Sequence, residues 1–449
     1  MLTIAEIKSL AVESIESRRN EIIEISKHIL ENPETGFTEQ KTSKFVKEKF
    51  EALGIPFQDK LAITGVKGFI EGGAGTGPSV AVIGELDSLR VVDHPYHDDV
   101  TGAAHACGHH CQIGSMIGTM IGILVPGVLE NLSGRVIPMA VPAEEFIEVE
   151  RRKRLRDEGK IEFMGGKQEF IKLGVFDDVD MAMICHTATD EGKFSLGLGG
   201  TSTANVLKLV EFYGRGAHAG AAPHKGINAL NAAMIALSGI NANRETFRDQ
   251  DTVRVNGILT SGGDAVNVIP GNVTLEYRVR SGYLDALANN SKKVDRSFKA
   301  GALAVGARVS ITNIAGYLPM RNNKDLQQLF GNNAEQVVGK QNVLVRPDNY
   351  NDGGSTDMGD LAHIMPLIHP FCGGATGTPH GNDYVIDDYD KAVIEPAKSM
   401  AMTIIDLLTE KSQKAIAIKE TDDTPMTKDQ YLKLQRERNE VIEFDGSDD

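Results

Sequence analysis

Long apolar runs are missing from this 449-residue chain, which excludes a helical membrane span as an expectation. The best candidate, Ile117 to Leu129, falls short of the ~18 residues a span needs and is broken by glycines. Cysteine is scarce as well. Four residues, at 107, 111, 185 and 372, cannot build a disulfide scaffold, so a reducing cytoplasm is the expected compartment. Positive charge is in deficit: 47 Lys and Arg stand against 62 Asp and Glu, a net charge of -15. Phosphate binding needs a basic surface, so nucleic acid is excluded as a partner. Met1 to Leu30 is studded with Glu, Lys and Arg and lacks the apolar centre of a signal peptide. Repeats and low-complexity segments are absent too. With 41% hydrophobic and 24% charged residues, the length allows two or three domains with large cores.

Residues 5 to 54 read as helical, with Ile22, Ile25 and Ile29 at helical spacing and a break at Asn32-Pro33. Ser79 to Gly84, Arg135 to Val141 and Met181 to Cys185 are short apolar runs that each end in polar residues, as buried strands do. Helical segments lie between and after them, at Ile113 to Leu124 and Gln168 to Leu173, which predicts an α/β domain. From about residue 200 the pattern changes to strand, helix, strand, strand, helix, strand, ending at Arg308 to Ile314: the ferredoxin-like order. Gly316 to Pro319 offers a hinge, after which helices at Lys324 to Val338 and Tyr389 to Leu408 resume the first domain. The expected architecture is a discontinuous α/β catalytic domain with a mixed sheet (1–199 and 316–410) and an inserted α+β lid and dimerisation domain (200–315). A charged extension (411–449) follows, expected as a surface helix near Lys428 to Arg438 with a frayed acidic end.

The chemistry concentrates in His105-Ala106-Cys107-Gly108-His109-His110 and Pro142-Ala143-Glu144-Glu145. A thiolate and imidazoles beside hard carboxylates suit a first-row ion such as Zn²⁺, Mn²⁺ or Co²⁺. Adjacent acids are usually a solvated face, but this pair directly follows an apolar strand and a proline. A second carboxylate beside a liganding one can serve as a base. His186 also sits at a strand end, and open α/β sheets place their sites there. His380 lies in a loop, Gly377-Thr378-Pro379-His380-Gly381-Asn382, too rich in turn residues for a core. His28, His94, His97 and His363 have no such company and read as structural. On the strand Val273 to Val279 the apolar residues alternate with a polar face that carries Arg278 and, just beyond, Arg280. An arginine fork there suits a carboxylate.

Taken in order, these residues resemble peptidase family M20, in its amidohydrolase branch of dinuclear metallohydrolases. The series runs through Glu31-Asn32-Pro33-Glu34-Thr35-Gly36-Phe37, Gly84-Glu85-Leu86-Asp87-Ser88-Leu89, the Cys107 and Glu144 motifs, and Cys185-His186. Gly214-Arg215-Gly216-Ala217-His218-Ala219, Asn267-Val268-Ile269-Pro270 and Gly354 to Asp360 complete it. Position by position, the resemblance implies that Cys107, His109, Glu145, His186 and His380 bind two divalent metal ions, Zn or Mn, with Cys107 between them. It makes Glu144 the general base and acid, and Asp87 the acid that orients a ligand from behind. His218 would stabilise the tetrahedral oxyanion, often in the partner subunit's site. Asn267 and Arg280 would hold the substrate's carboxylate. The insert would close over the site and mediate a homodimer.

Two departures from the family pattern stand out. His110 follows Cys107-Gly108-His109 where most members have an acid, an alternative ligand. The segment Phe146 to Phe163, with Glu150-Arg151-Arg152-Lys153-Arg154, replaces the usual glycine run and reads as an extra helix or loop near the mouth. The Ser355-Thr356-Asp357 and Glu85-Leu86-Asp87 blocks look closest to the aminobenzoyl-glutamate and dipeptide hydrolases. The expected function is therefore hydrolysis of the amide of an N-acyl amino acid or small dipeptide. Two rivals remain: an amidase with Cys107 as nucleophile, which leaves Glu145, His186 and His380 idle, and a catalytically silent binding protein.

Overall fold

The computed structural model describes residues 2–189 and 193–447 and divides the chain into two compact units. The first comprises Met1–Gly200, Arg321–Tyr350 and Asp360–Pro425; the second comprises Thr201–Met320, Asn351–Gly359 and Met426–Asp449.

The first unit is built on a seven-stranded mixed sheet. Ser79–Glu85 lies at its heart, parallel to Arg135–Val141 on one side and to Met181–Met183 on the other. All seven residues of Ser79–Glu85 are buried, so the strand reads as a continuous apolar run rather than an alternating one. The register sets Glu85 opposite Val141, so both chains leave the sheet at the same end. A second sheet of five strands joins His186–Thr189 in parallel to Phe371–Thr376, with His186 opposite Phe371.

The helix His109–Ile123 is buried along its whole length, packed among Ile4–Ser17, Arg19–Leu30 and Glu395–Leu408. Gly114 makes this close packing possible: a Cβ there would fall 1.9 Å from Ser26 Oγ. The helix begins immediately after Gly108, whose φ of 84° is left-handed and whose Cβ would lie 2.0 Å from Thr187 Oγ1. Only glycine fits both conditions. The glycine therefore fixes how Cys107 and His109 leave the turn.

In the second unit the strands Ala204–Tyr213, Arg254–Ser261, Asn272–Ser281 and Arg308–Ala315 form an antiparallel sheet, with helices Ala229–Asn243 and Leu284–Val305 packed against its core. The spatial order, fourth, first, third, second, is the ferredoxin-like one. Lys208, fully buried in the first strand, is satisfied by Asp295, Asn313 and Ser291.

The tail departs from expectation. The helix Lys428–Glu437 forms, closed at its start by a capping box between Thr427 and Gln430. The segment expected to fray instead becomes a fifth strand, Glu440–Asp445, antiparallel to Arg308–Ala315. Its composition disguised the pattern: Glu443 and Asp445 point outward while Ile442 and Phe444 pack against the core. The strand covers what would be an open sheet edge. The expected 411–449 extension is thus divided between the two units. Phe444→Ala should lower the unfolding free energy of the second unit by about 1–3 kcal/mol. Glu443→Ala, facing outward, should cost under about 0.5 kcal/mol. Denaturant unfolding monitored by hydrogen exchange of the Arg308–Ala315 amides measures both, and equal effects would show that the strand is not packed as described.

Candidate metal centre

Three strand ends and one loop supply the site. Asp87 follows the central strand, Glu144 and Glu145 follow its neighbour, and His186 opens its own strand. Cys107 and His109 flank the Gly108 turn, and His380 is tied to that turn through its N–H to Ala106 O at 2.9 Å. Asp87 links these pieces. Its Oδ2 accepts from Glu145 N at 2.9 Å, and its carbonyl oxygen accepts from His109 Nδ1 at 2.9 Å. The proton on Nδ1 leaves His109 Nε2 facing the interior of the site. His186 is oriented the same way: Nδ1 donates to Thr187 O at 2.7 Å, and Nε2 faces Cys107 Sγ at 3.4 Å.

The donor atoms then fall into overlapping triads. Cys107, His109 and His186 form one; Cys107, Glu145 and His380 form another; Glu85, His109 and Glu144 form a third. Within each, the ligand atoms lie within 4.8 Å of one another. Cys107 belongs to two triads, as a thiolate shared between two ions would. Two further atoms favour a bound cation. His109 Nε2 and Glu145 Oε1 are buried with no hydrogen-bond partner, although Glu85 Oε2 lies 3.1 Å from the first and His380 Nε2 3.5 Å from the second. Buried polar atoms rarely stay unsatisfied. A sulfur, nitrogen and oxygen donor set of this kind fits a first-row divalent ion.

The electrostatics agree. Burial opposes charge on His109, but Glu85, Cys107 and Asp87 outweigh it and hold the ring's proton well above the ordinary imidazole value. His186 is pushed down to about 4 by burial and then by His109. Without metal, burial and then the Glu145 carboxylate push the Cys107 thiol well up. The acids around His109 thus favour positive charge at this position, as a bound cation would supply it.

His110 does not join the donor groups. Its ring packs 5.2 Å from His105 and 6.3 Å from Tyr389, and burial, then His109 and His94, push it down to about 3. The helical periodicity turns it away from its neighbour His109. His94 and His28 behave as structural residues: His94 Nε2 donates to Tyr384 O at 2.7 Å, and His28 stacks on Phe45 at 4.1 Å.

The second unit holds the remaining expected residues. His218 is exposed, and its Nδ1 accepts from both Gly220 N and Ala221 N at 3.1 Å. The neutral ring must then carry its proton on Nε2, a free-standing donor. The Asn267 carbonyl accepts from Ala219 N at 2.9 Å, which ties the loop of Asn267 to that of His218. Arg280 is half-buried and donates from Nη1 to Ser355 Oγ at 2.8 Å; Ser355 Oγ in turn meets Thr203 Oγ1 at 2.8 Å.

Residues 202–302 match the family profile of the peptidase dimerisation domain of M20 enzymes. A mouse protein named Xaa-Arg dipeptidase is 28% identical over 333 residues, covering 72% of this chain and 70% of its own. An Arabidopsis thaliana protein named IAA-amino acid hydrolase ILR1-like 4 is 26% identical, covering 73% of each. The fold matches a Bacillus subtilis dinuclear metal binding peptidase of the M20 family, with a TM-score of 0.63 at 20% identity over 88% of this chain and 99% of that one. In its dimerisation domain and its fold, this chain is similar to M20 hydrolases. An aminobenzoyl-glutamate utilization protein from Klebsiella pneumoniae shares the fold at a TM-score of 0.66 and 17% identity, over 89% of this chain and 99% of that one.

Several residues of this site escaped the sequence reading. Arg152, in the charged segment after Glu145, lies in a helix, Val149–Asp157, and is fully buried. Its guanidinium donates to Glu145 O and, at 2.5 Å, to Met164 O, so this part of the segment faces inward and braces the loop that carries Glu144 and Glu145. His369 is buried against the His186 ring at 5.7 Å. Glu39 accepts from Thr64 Oγ1 at 2.6 Å and from Ala143 N at 2.9 Å. It thereby supports Ala143, whose φ of 55° is left-handed, just before the two glutamates. Burial and then the charge of Asp87 push Glu39 up to about 7.

The folded state therefore holds the Glu39 proton more tightly than the unfolded chain, and stability is lost as pH rises from about 4.5 to about 7. Glu39→Gln should remove that loss. Its stability relative to wild type should rise across the window by on the order of 3 kcal/mol, read by denaturant unfolding of chelator-treated protein at pH 4.5 and 8. A difference that does not change with pH would contradict this account of Glu39.

Proposed function

We propose that this chain is a metal-dependent amidohydrolase that cleaves the amide of an N-acyl amino acid or a small dipeptide and releases a free amino acid. The observation that carries this reading is the pair of donor triads sharing Cys107, with Glu144 beside them. Cys107, His109, Glu145, His186 and His380 would hold two divalent ions, Zn²⁺ or Mn²⁺. When bound, such ions polarise the scissile carbonyl and lower the pKa of the attacking water.

The chain's own residues supply the rest. Glu144 is buried near His109 and Glu85. It takes a proton from the attacking water and delivers it to the departing amine. Asp87 keeps His109 in the tautomer that presents Nε2 and fixes the Glu145 backbone. His218 presents an Nε2 donor to the developing oxyanion, since two backbone amides already occupy its Nδ1. Arg280 and Asn267 take the substrate carboxylate, with Ser355 orienting the arginine's fork. The match to a dimerisation domain supports a homodimer. The scarcity of cysteine suits a reducing cytoplasm.

A cysteine nucleophile is the weaker reading. Cys107 Sγ lies against His186 Nε2, but that assignment gives Glu145 and His380 nothing to do. Purified protein should hydrolyse a member of a panel of N-acyl amino acids and dipeptides, lose activity to a chelator and regain it with Mn²⁺ or Zn²⁺. Activity that survives complete metal removal would favour the thiol mechanism instead. Glu144→Ala should lower kcat by about 10²–10⁴-fold with metal content unchanged, and wild-type turnover would remove Glu144 from the mechanism. His218→Ala should lower kcat about 10²–10³-fold with little change in KM. An effect confined to KM would make His218 a binding residue instead.

A further inference from the structure

Glu85 is the acid that the metal-site reading leaves without a role. It is 1% exposed at the end of the central strand, and its two oxygens are used differently. Oε1 is paired with Lys167 Nζ at 2.5 Å, a lysine itself fully buried. Oε2 accepts from Gln112 Nε2 at 2.9 Å and stands 3.1 Å from His109 Nε2. The backbone completes the hold, because Glu85 N donates to Gln112 Oε1 at 2.9 Å. The carboxylate is therefore fixed in one orientation from three sides, with one oxygen presented to the ring nitrogen that has no hydrogen-bond partner.

That spacing has a chemical meaning. Two donors about 2.1 Å from one ion stand roughly 3.0–3.4 Å apart, according to whether they meet at an octahedral or a tetrahedral angle. The Glu85 Oε2 to His109 Nε2 distance falls in this range, and Glu144, the base, lies beside the same two residues. We propose that Glu85 is a further ligand to the ion held by His109, presented by Lys167 and Gln112, and that it adds a carboxylate to a half of the centre otherwise built from sulfur and nitrogen donors. Carboxylate donors favour harder ions, so Glu85 tilts this position towards Mn²⁺ and away from Zn²⁺. Lys167 offsets the added negative charge and keeps the buried acid ionised in the metal-free fold.

The inference rests on the reading of this centre as a divalent-metal site, and metal binding separates the two. Metal-free wild type and Glu85→Gln are titrated with Mn²⁺ and with Zn²⁺ against a competing chelating dye. The expected result is at least a tenfold loss of Mn²⁺ affinity in E85Q, a smaller loss for Zn²⁺, and an altered Mn²⁺ electron paramagnetic resonance spectrum. E85Q removes the carboxylate that faces buried Lys167, so the double variant E85Q/K167M provides a reference with both charges removed; it should show the same loss. Lys167→Met alone should give a metal-free protein of lower stability that Mn²⁺ raises by more than it raises wild type. Wild type that takes up neither ion would sink the metal-site reading itself. Wild-type uptake with unchanged Mn²⁺ affinity in E85Q and in the double variant would overturn the role of Glu85 alone.

Discussion

The hydrogen bonds of Asp87 are the interaction on which the site depends. One fully buried residue accepts from His109 through its carbonyl and from the Glu145 backbone through its carboxylate. The first bond sets a tautomer, and the second sets the path of the loop that carries both glutamates. The two donor motifs lie on separate segments of chain, and Asp87 is bonded to both. The parallel register of Ser79–Glu85 with Arg135–Val141 brings Asp87 and the two glutamates out at one level. The sheet supplies proximity, and Asp87 fixes how the His109 ring and the Glu145 backbone meet.

Burying so many acids together is costly, and the surroundings show how the cost is offset. Lys167 neutralises Glu85, Arg152 holds the Glu145 carbonyl, and Glu39 is pushed towards its neutral form by burial and by Asp87. Two of the chain's left-handed non-glycine residues fall in the same region, Ala143 before the glutamates and His380. Each is anchored by a hydrogen bond, Ala143 N to Glu39 and His380 N to Ala106 O. These features are expected where a fold must hold like charges ready for a cation.

Much of this was legible in the sequence because it lay in local pattern. Apolar runs of strand length ending in acids or histidine gave the sheet, and the change of rhythm near residue 200 gave the ferredoxin-like order. Cys107, His109 and the two glutamates declared themselves by their company. What stayed hidden depended on partners distant in sequence. Lys167 reads as an ordinary helical lysine until Glu85, from the central strand, is found against it. Arg152 sits among four charged neighbours and looks solvated, yet it alone of Glu150–Arg154 is fully buried. The alternation of Ile442 and Phe444 was too short to outweigh the acids around them. His110 illustrates the opposite error: adjacency to His109 suggested a shared task, but one step along a helix turns a side chain by about 100°.

The central claim is that Cys107 lies between two ions. Elemental analysis of purified protein after saturation with Mn²⁺ or Zn²⁺ and removal of excess tests it most directly, with Cys107→Ser alongside. The account predicts two ions per chain in wild type and a loss at both positions in the variant. Wild-type protein with no bound metal, or a Cys107→Ser protein that keeps both ions at wild-type affinity, would contradict it.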